Sequence, residues 1–225
     1  MLSIFNLMRG GQYLEAVIVI LSRAFVVFCC LPFHEFAHGW AAYKLGDDTA
    51  KRQGRLTFNP IAHLNPIGTI MIFLFGIGYA QPVEINMRKL KNPKRDMALT
   101  ALAGPGANIV LAFIFTFIAY LLKTVLPLSN VSLYVVMFFF FAADINVTLA
   151  VFNLLPIPPL DGSKVLAAVL PYKQYIKYMQ YERYIMIGLI VLLFTGFLDK
   201  AIIFLSDKLM FVISFIPRLI FGAII

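Results

Sequence analysis

The chain has 225 residues, of which 61% are hydrophobic and only 13% are charged. This composition argues against a soluble globular fold and predicts an all-α polytopic membrane protein that forms a single domain over residues 1–225. The formal net charge of +8 would suit nucleic-acid binding in a soluble protein, but here the basic residues lie between apolar runs, where the positive-inside rule explains them. We therefore expect a lipid bilayer as partner and no nucleic acid.

The apolar runs predict about five to six transmembrane helices. In chain order these runs cover 14–43, 97–122, 132–155, 184–205 and 208–225. Each of the first three is long enough for the roughly 20 residues that a helix needs to cross the hydrocarbon core. Whether the last run spans the membrane is left open.

Residues 66–80 form a shorter, glycine-rich apolar stretch. Fifteen residues are too few for a spanning helix, so this stretch predicts a short re-entrant segment, a β-like hairpin or a loop. The basic loops 44–65, 81–96 and 171–183 then face one side of the membrane. The positive-inside rule identifies that side as the cytoplasm.

The run His34-Glu35-Phe36-Ala37-His38 matches the H-E-x-x-H pattern of zinc sites. The histidines are one helical turn apart, so both can reach one Zn²⁺, and Glu35 lies beside the metal as a base. A charge buried in an apolar span costs at least about 2.5 kcal/mol. This cost favours a functional site over a polar cluster that only holds helices together.

A catalytic zinc site takes three protein ligands and leaves a fourth position for water. Asp161 is the best candidate for the third ligand, because the two spans between His38 and Asp161 return the chain to the starting face. The alternative is a turn in which Asp161 caps the helix that begins near Ser163. Asp144 lies too deep in its span to meet His38. His63 is either a substrate contact or an interfacial histidine bound to backbone.

Two motifs in this order resemble the site-2 protease family of intramembrane zinc metalloproteases. They are the His34–His38 run and the sequence Asn153-Leu-Leu-Pro-Ile-Pro-Pro-Leu-Asp161-Gly162. The likeness covers most of residues 24–171 and includes the segments Gln81–Asn86 and Ala103–Asn108. The chain resembles the compact subgroup, without an inserted PDZ-like or a nucleotide-sensing domain.

The resemblance implies one Zn²⁺ per chain with His34, His38 and Asp161 as ligands. It also implies Glu35 as the catalytic base, and Asn153 as a stabiliser of the oxyanion or a binder of substrate backbone. The implied reaction is hydrolysis of peptide bonds within or near transmembrane segments of membrane protein substrates.

On this interpretation residues 14–171 form the catalytic core and residues 184–225 are accessory helices. We expect a prokaryotic inner membrane, with the active site toward the cytoplasm. One alternative is a non-catalytic scaffold or regulator that keeps the fold, against which the intact Glu35 argues. Another is a transporter with a metal site, which would need a polar path across the full membrane. The substrate, the gating partner and the oligomeric state are left open.

Overall fold

Every regular element in the part of the chain that the structure describes is helical. The structure is a computed structural model that describes residues 4–75, 81–171, 174, 178 and 180–222. The helices are α1 (Ile4–Arg9), α2 (Tyr13–Phe25), α3 (Leu31–Lys44), α4 (Thr49–Arg52), α5 (Pro66–Phe75), α6 (Pro93–Val125), α7 (Asn130–Asn153), α8 (Asp161–Val169), α9 (Glu182–Phe194) and α10 (Asp199–Phe221).

Three helical segments of the described chain are long and apolar enough to cross a membrane. They are Tyr13–Lys44, Pro93–Val125 and Asn130–Asn153. The first of them joins α2 to α3 through a π-helical turn at Val26–Cys30. These segments confirm an all-α, multi-pass membrane protein.

The segment 66–80 differs from the predicted hairpin or loop. Pro66–Phe75 forms helix α5, and residues 76–80 lie outside the described part of the chain. The side chain of Asn65 accepts a hydrogen bond from the backbone N–H of Gly68 at 3.1 Å, so the residue before Pro66 caps the helix. The prediction gave too much weight to the glycines and too little to this cap. At about 15 Å, α5 is still too short to cross the hydrocarbon core.

The C-terminal boundaries also differ from the prediction. The predicted break between 205 and 208 is wrong, because α10 runs through these positions from Asp199 to Phe221. The chain turns earlier, between Phe194 and Asp199, where Gly196 has a φ of 69° that favours glycine. Residues 206–207, which separate the two predicted runs, are helical, and Asp207 and Lys208 both continue α10.

The apolar core lies between the π turn, α5, α6 and α7. Val26, Val27, Ile72 and Leu149 are fully buried there. Ala142 and Ala143 of α7 belong to the same cluster, and such small residues let helices approach closely in a membrane. This packing fixes the first, second and third spans relative to one another.

The basic loops meet on one side of the bundle. The Lys89 ammonium lies 2.7 Å from the Asp48 carboxylate, which joins the loop after α3 to the loop before α6. The Lys94 ammonium donates to the backbone carbonyl of Leu170 at 2.9 Å, which brings the end of α8 to the same side. These contacts agree with the prediction that residues 66–80 do not separate the loops by a crossing.

Candidate metal centre

Two histidine side chains of α3 converge at a buried point. His34 and His38 are one helical turn apart, and their relative exposures are 4% and 5%. Their Nε2 atoms lie 3.0 Å apart. The i, i+4 spacing on a regular helix produces this convergence, as the sequence predicted.

Asp161 completes the group from the first turn of α8. Its Oδ2 atom lies 3.4 Å from Nε2 of His34 and 3.1 Å from Nε2 of His38. Leu160, and not Asp161, occupies the N-cap position, and no side chain caps α8. The alternative in which Asp161 caps a helix is therefore wrong.

These three side chains fit a zinc ion. Their ligand atoms all lie within 4.8 Å of one another, and the three residues are buried. Ligands bound about 2.0–2.2 Å from a tetrahedral Zn²⁺ lie roughly 3.3 Å from each other, close to the separations seen here. Two imidazoles and one carboxylate are also a ligand set that catalytic zinc sites use.

The Asp161 carboxylate is held in its charged form. Burial alone would raise its pKa, but the charge interaction with His38 and the hydrogen bonds to His34 and His38 outweigh burial and hold the pKa well below its usual range. The Lys164 ammonium adds a contact at 3.1 Å to the other carboxylate oxygen, Oδ1. Lys164 was not among the predicted site residues, although its i, i+3 spacing from Asp161 on α8 indicates that the two side chains are neighbours.

The backbone of α6 orients one of the histidines. The Nδ1 atom of His38 lies 2.7 Å from the backbone carbonyl oxygen of Thr100, so Nδ1–H donates there and the Nε2 lone pair is left for a metal. Such partners fix the tautomer and the ring orientation of metal-binding histidines. This contact depends on the packing of α6 against α3 and has no local sequence signal.

Two glycines permit close approaches at or near the site. A methyl group at Gly104 of α6 would overlap the imidazole rings of His38 and His34. A methyl group at Gly162 would overlap the backbone carbonyl of Leu154. The glycine-proline pair at 104–105, inside an otherwise apolar helix, is the sequence signal for the first of these contacts.

Glu35 is oriented by a non-helical segment. Its Oε2 atom accepts a hydrogen bond from the backbone N–H of Val83 at 3.0 Å, and its side chain is buried. Val83 belongs to the segment 81–86, which has no regular secondary structure. Glu35 is therefore fixed beside the histidines from outside its own helix.

Asp47 anchors that segment. Its Oδ2 atom accepts from the backbone N–H of Asn86 at 2.6 Å, and its Oδ1 atom accepts from the backbone N–H of Thr49 at 3.0 Å. The Asp47 carboxylate thus ties the segment 81–86 to the end of α3. The position of Val83, and through it that of Glu35, depends on this tie.

We predict that Asp47→Ala lowers the free energy of unfolding by about 1–3 kcal/mol, because it leaves two partly buried N–H groups without their acceptor. Denaturant titration of the detergent-solubilised protein measures the change. Asp48→Ala is the matched control, since Asp48 is paired with Arg52 and Lys89 near the surface. Equal losses in the two variants would contradict the assigned role of Asp47.

The remaining candidate residues do not belong to this group of three metal-compatible side chains. Asn153 ends α7 and is partly exposed, and among the described residues it makes no side-chain hydrogen bond to Glu35 or to the other site residues. His63 is buried, with Nε2 2.9 Å from the backbone carbonyl oxygen of Thr57. This contact agrees with the backbone-bound alternative for His63. Asp144 lines a different cavity.

Comparison with known families decides the class of the protein. The model of peptidase family M50 matches residues 22–132 and 123–195. The chain belongs to this family. The site-2 protease resemblance is thereby confirmed, and this M50 peptidase is a zinc metalloprotease.

Curated relatives of this M50 peptidase carry matching names. "Putative zinc metalloprotease YwhC" of Bacillus subtilis (strain 168) is 44% identical over 164 residues, which are 72% of this chain and 75% of the relative. "Putative zinc metalloprotease Rip2" of Mycolicibacterium smegmatis is 30% identical over 159 residues, or 68% of this chain and 58% of the relative. "Putative zinc metalloprotease MJ0611" of Methanocaldococcus jannaschii is 30% identical over 151 residues, which are 67% of this chain and 72% of the relative. No solved structure matches the chain significantly.

Proposed function

We propose that this M50 peptidase hydrolyses peptide bonds within or near transmembrane segments of membrane protein substrates. The observation that carries the proposal is the convergence of His34, His38 and Asp161, all buried, at one end of a membrane-spanning helical segment. Ionisable side chains in such a segment are costly unless they are paired or bind a metal. A protease with its metal centre at this position cleaves peptide bonds at the depth of its own membrane spans.

His34, His38 and Asp161 would hold one Zn²⁺, which when bound polarises a peptide carbonyl and acidifies a water molecule. Glu35 acts as the general base. Its Oε2 atom is occupied by the N–H of Val83, so the carboxylate is oriented and its second oxygen can take the proton of the attacking water. The same oxygen then delivers the proton to the leaving amine.

Asn153 would donate its amide N–H to the developing oxyanion or to the substrate backbone. The position of Asn153 at the C-terminal end of α7, eight residues before Asp161, supports this role. The substrate must unwind locally before attack, because the carbonyls of an intact transmembrane helix are hydrogen-bonded within the helix.

We further propose a prokaryotic inner membrane with the active site toward the cytoplasm, and that α9 and α10 add to the three apolar spans. The basic loops on one side of the bundle and the similarity to a Bacillus protein support this arrangement.

The ligand set is tested by metal analysis. The wild-type protein in detergent is expected to bind about one zinc per chain, and Asp161→Asn much less, because the variant lacks the charged third ligand. Asp96→Asn is a suitable control, since Asp96 is buried in α6 but lies outside the three-residue group. A folded wild type without zinc, or an Asp161→Asn variant with full zinc, would disprove the assignment.

The depth of cleavage is tested in proteoliposomes. The zinc-loaded protein is reconstituted with a single-span substrate that carries a glycine-proline pair in its apolar segment, or with a matched all-leucine segment. We expect mass spectrometry to locate the cleavage within or beside the apolar segment and to show faster cleavage of the glycine-proline substrate. Cleavage confined to distant soluble flanks would contradict intramembrane action.

A further inference from the structure

Residues 56–63, between α4 and α5, form a loop that packs against the face of α3 that carries Glu35. Gly39 lies on this face, one helical turn after Glu35. A Cβ atom placed at Gly39 would lie 3.3 Å from Cδ1 of Leu56 and 3.5 Å from Cγ1 of Val83. The 56–63 loop and the non-helical segment that contains Val83 therefore lie side by side on α3.

The 56–63 loop is fixed to α3 by aromatic packing. The ring centroid of Phe58 lies 4.6 Å from that of Phe33 and 4.2 Å from that of Phe36. The loop also contains a short 3₁₀ turn, which the side chain of Asn59 caps by accepting a backbone N–H at 3.1 Å. These contacts make the loop a fixed support on the surface of α3.

The imidazole of His63 closes the 56–63 loop. It is only 1% exposed, and its Nε2 atom lies 2.9 Å from the backbone carbonyl oxygen of Thr57. A carbonyl can only accept a hydrogen bond, so Nε2 carries a proton and donates it to Thr57. Nδ1 has no partner among the described residues. Within that part of the chain, the bond to Thr57 is what orients the ring.

The backbone of His63 connects this loop to the segment beside it. Its carbonyl oxygen accepts the N–H of Gln81 at 2.7 Å. Two residues further on, the N–H of Val83 donates to Oε2 of Glu35 at 3.0 Å. Asp47 anchors the other end of the same segment. The segment is therefore held at both ends, and His63 holds the end nearer to Val83.

We propose that His63 is a positioning residue for the general base Glu35. By closing the 56–63 loop it places the carbonyl that binds Gln81, and this bond sets the position of Val83, whose N–H orients the Glu35 carboxylate. The inference rests on the proteolytic function proposed above. It assigns to His63 a role in the rate of hydrolysis without contact to the metal or to the substrate.

The connection is tested first by amide hydrogen exchange of the purified protein in detergent. His63→Leu removes the N–H donor and should speed the exchange of residues 81–86 by about tenfold or more. His63→Gln should restore slow exchange, because its side-chain amide can donate to the same carbonyl. Asn59→Ala is the matched control. It removes an exposed cap from the same loop and should leave the exchange of residues 81–86 as in the wild type.

The effect on Glu35 is tested by single-turnover cleavage of the membrane substrate by zinc-loaded protein. His63→Leu should slow the maximal rate by about 10–100-fold at unchanged zinc content, because a misplaced base transfers protons poorly. His63→Gln should recover most of this rate. In a Glu35→Gln background, His63→Leu should cause little further loss, since the group that it positions is already inactive. A purely structural role would slow both backgrounds equally.

If His63→Leu fails to fold, Gln81→Pro takes its place, because it deletes the N–H that donates to His63 at an exposed position. Unchanged exchange of residues 81–86 in the folded variant would overturn the proposal. Equal rate losses with and without Glu35, or a loss of zinc, would overturn it as well. Because the exchange measurement needs neither zinc nor substrate, a wild type that cleaves nothing would refute the protease function without deciding this connection.

Discussion

Glu35→Gln is expected to slow peptide hydrolysis by about 10²–10⁴-fold while the zinc content stays at the wild-type level. Glutamine has nearly the same shape as glutamate, and its side-chain oxygen can still accept the N–H of Val83. It cannot take a proton from water. The effect should therefore appear in the rate of the chemical step and not in metal binding or in the stability of the fold.

Cleavage assays in proteoliposomes, with zinc measured on the same preparations, check this result. Glu84→Gln is the matched control, since Glu84 lies next to Val83 but is exposed and contacts Gln53 at 2.6 Å. It should cleave at the wild-type rate. Retained activity in Glu35→Gln would show that another group acts as the base, and loss of zinc would show that Glu35 supports the metal site itself.

Gly104→Ala should lose most of its zinc and, with it, proteolytic activity. The added methyl group would overlap Nε2 of His38 and Cε1 of His34, the rings that must meet at the metal. The rings cannot both move aside, because His38 is also tied to the carbonyl of Thr100. A displacement of about 1 Å is enough to disrupt catalytic geometry by roughly a hundredfold.

Gly106→Ala tests whether any alanine in this part of α6 is harmful. A methyl group at Gly106 would meet no other atom within 4 Å, and alanine is a better helix former than glycine. Zinc content and activity of this variant should match the wild type. If Gly104→Ala retained full zinc, α6 and α3 would have to lie farther apart than the structure places them.

The elements of the site that follow from spacing were predictable. His34, Glu35 and His38 share a helix, so periodicity alone places them together. The approach of Asp161 followed from the number of crossings between the two motifs. The contacts made by the backbone groups of Thr100 and Val83 were not predictable, because any residue offers a carbonyl and nearly any residue an N–H.

The fold was predicted in part. Three apolar spans are long enough to be evident from hydropathy. The shorter elements depend on local interactions, such as the helix N-cap at Asn65, and on the environment of each charged side chain. Asp207 was left between the two predicted C-terminal runs, 184–205 and 208–225. In the structure it continues α10 and lines a polar cavity, which hydropathy does not reveal.

The π-helical turn Val26–Cys30 divides the first span into two halves with separate rotational settings. A π-helical turn contains one residue more than a regular α-helical turn. The side chains of α3 are therefore rotated about the helix axis relative to those of α2, compared with a helix of uninterrupted 3.6-residue period. The face of α2 that packs on α7 and the face of α3 that carries the histidines are thus set separately. The outer half can thus change its lipid-facing or packing surface without rotating the ligands. The surface that contacts lipid and the geometry of the metal ligands can therefore change separately, although both lie on one continuous helical segment.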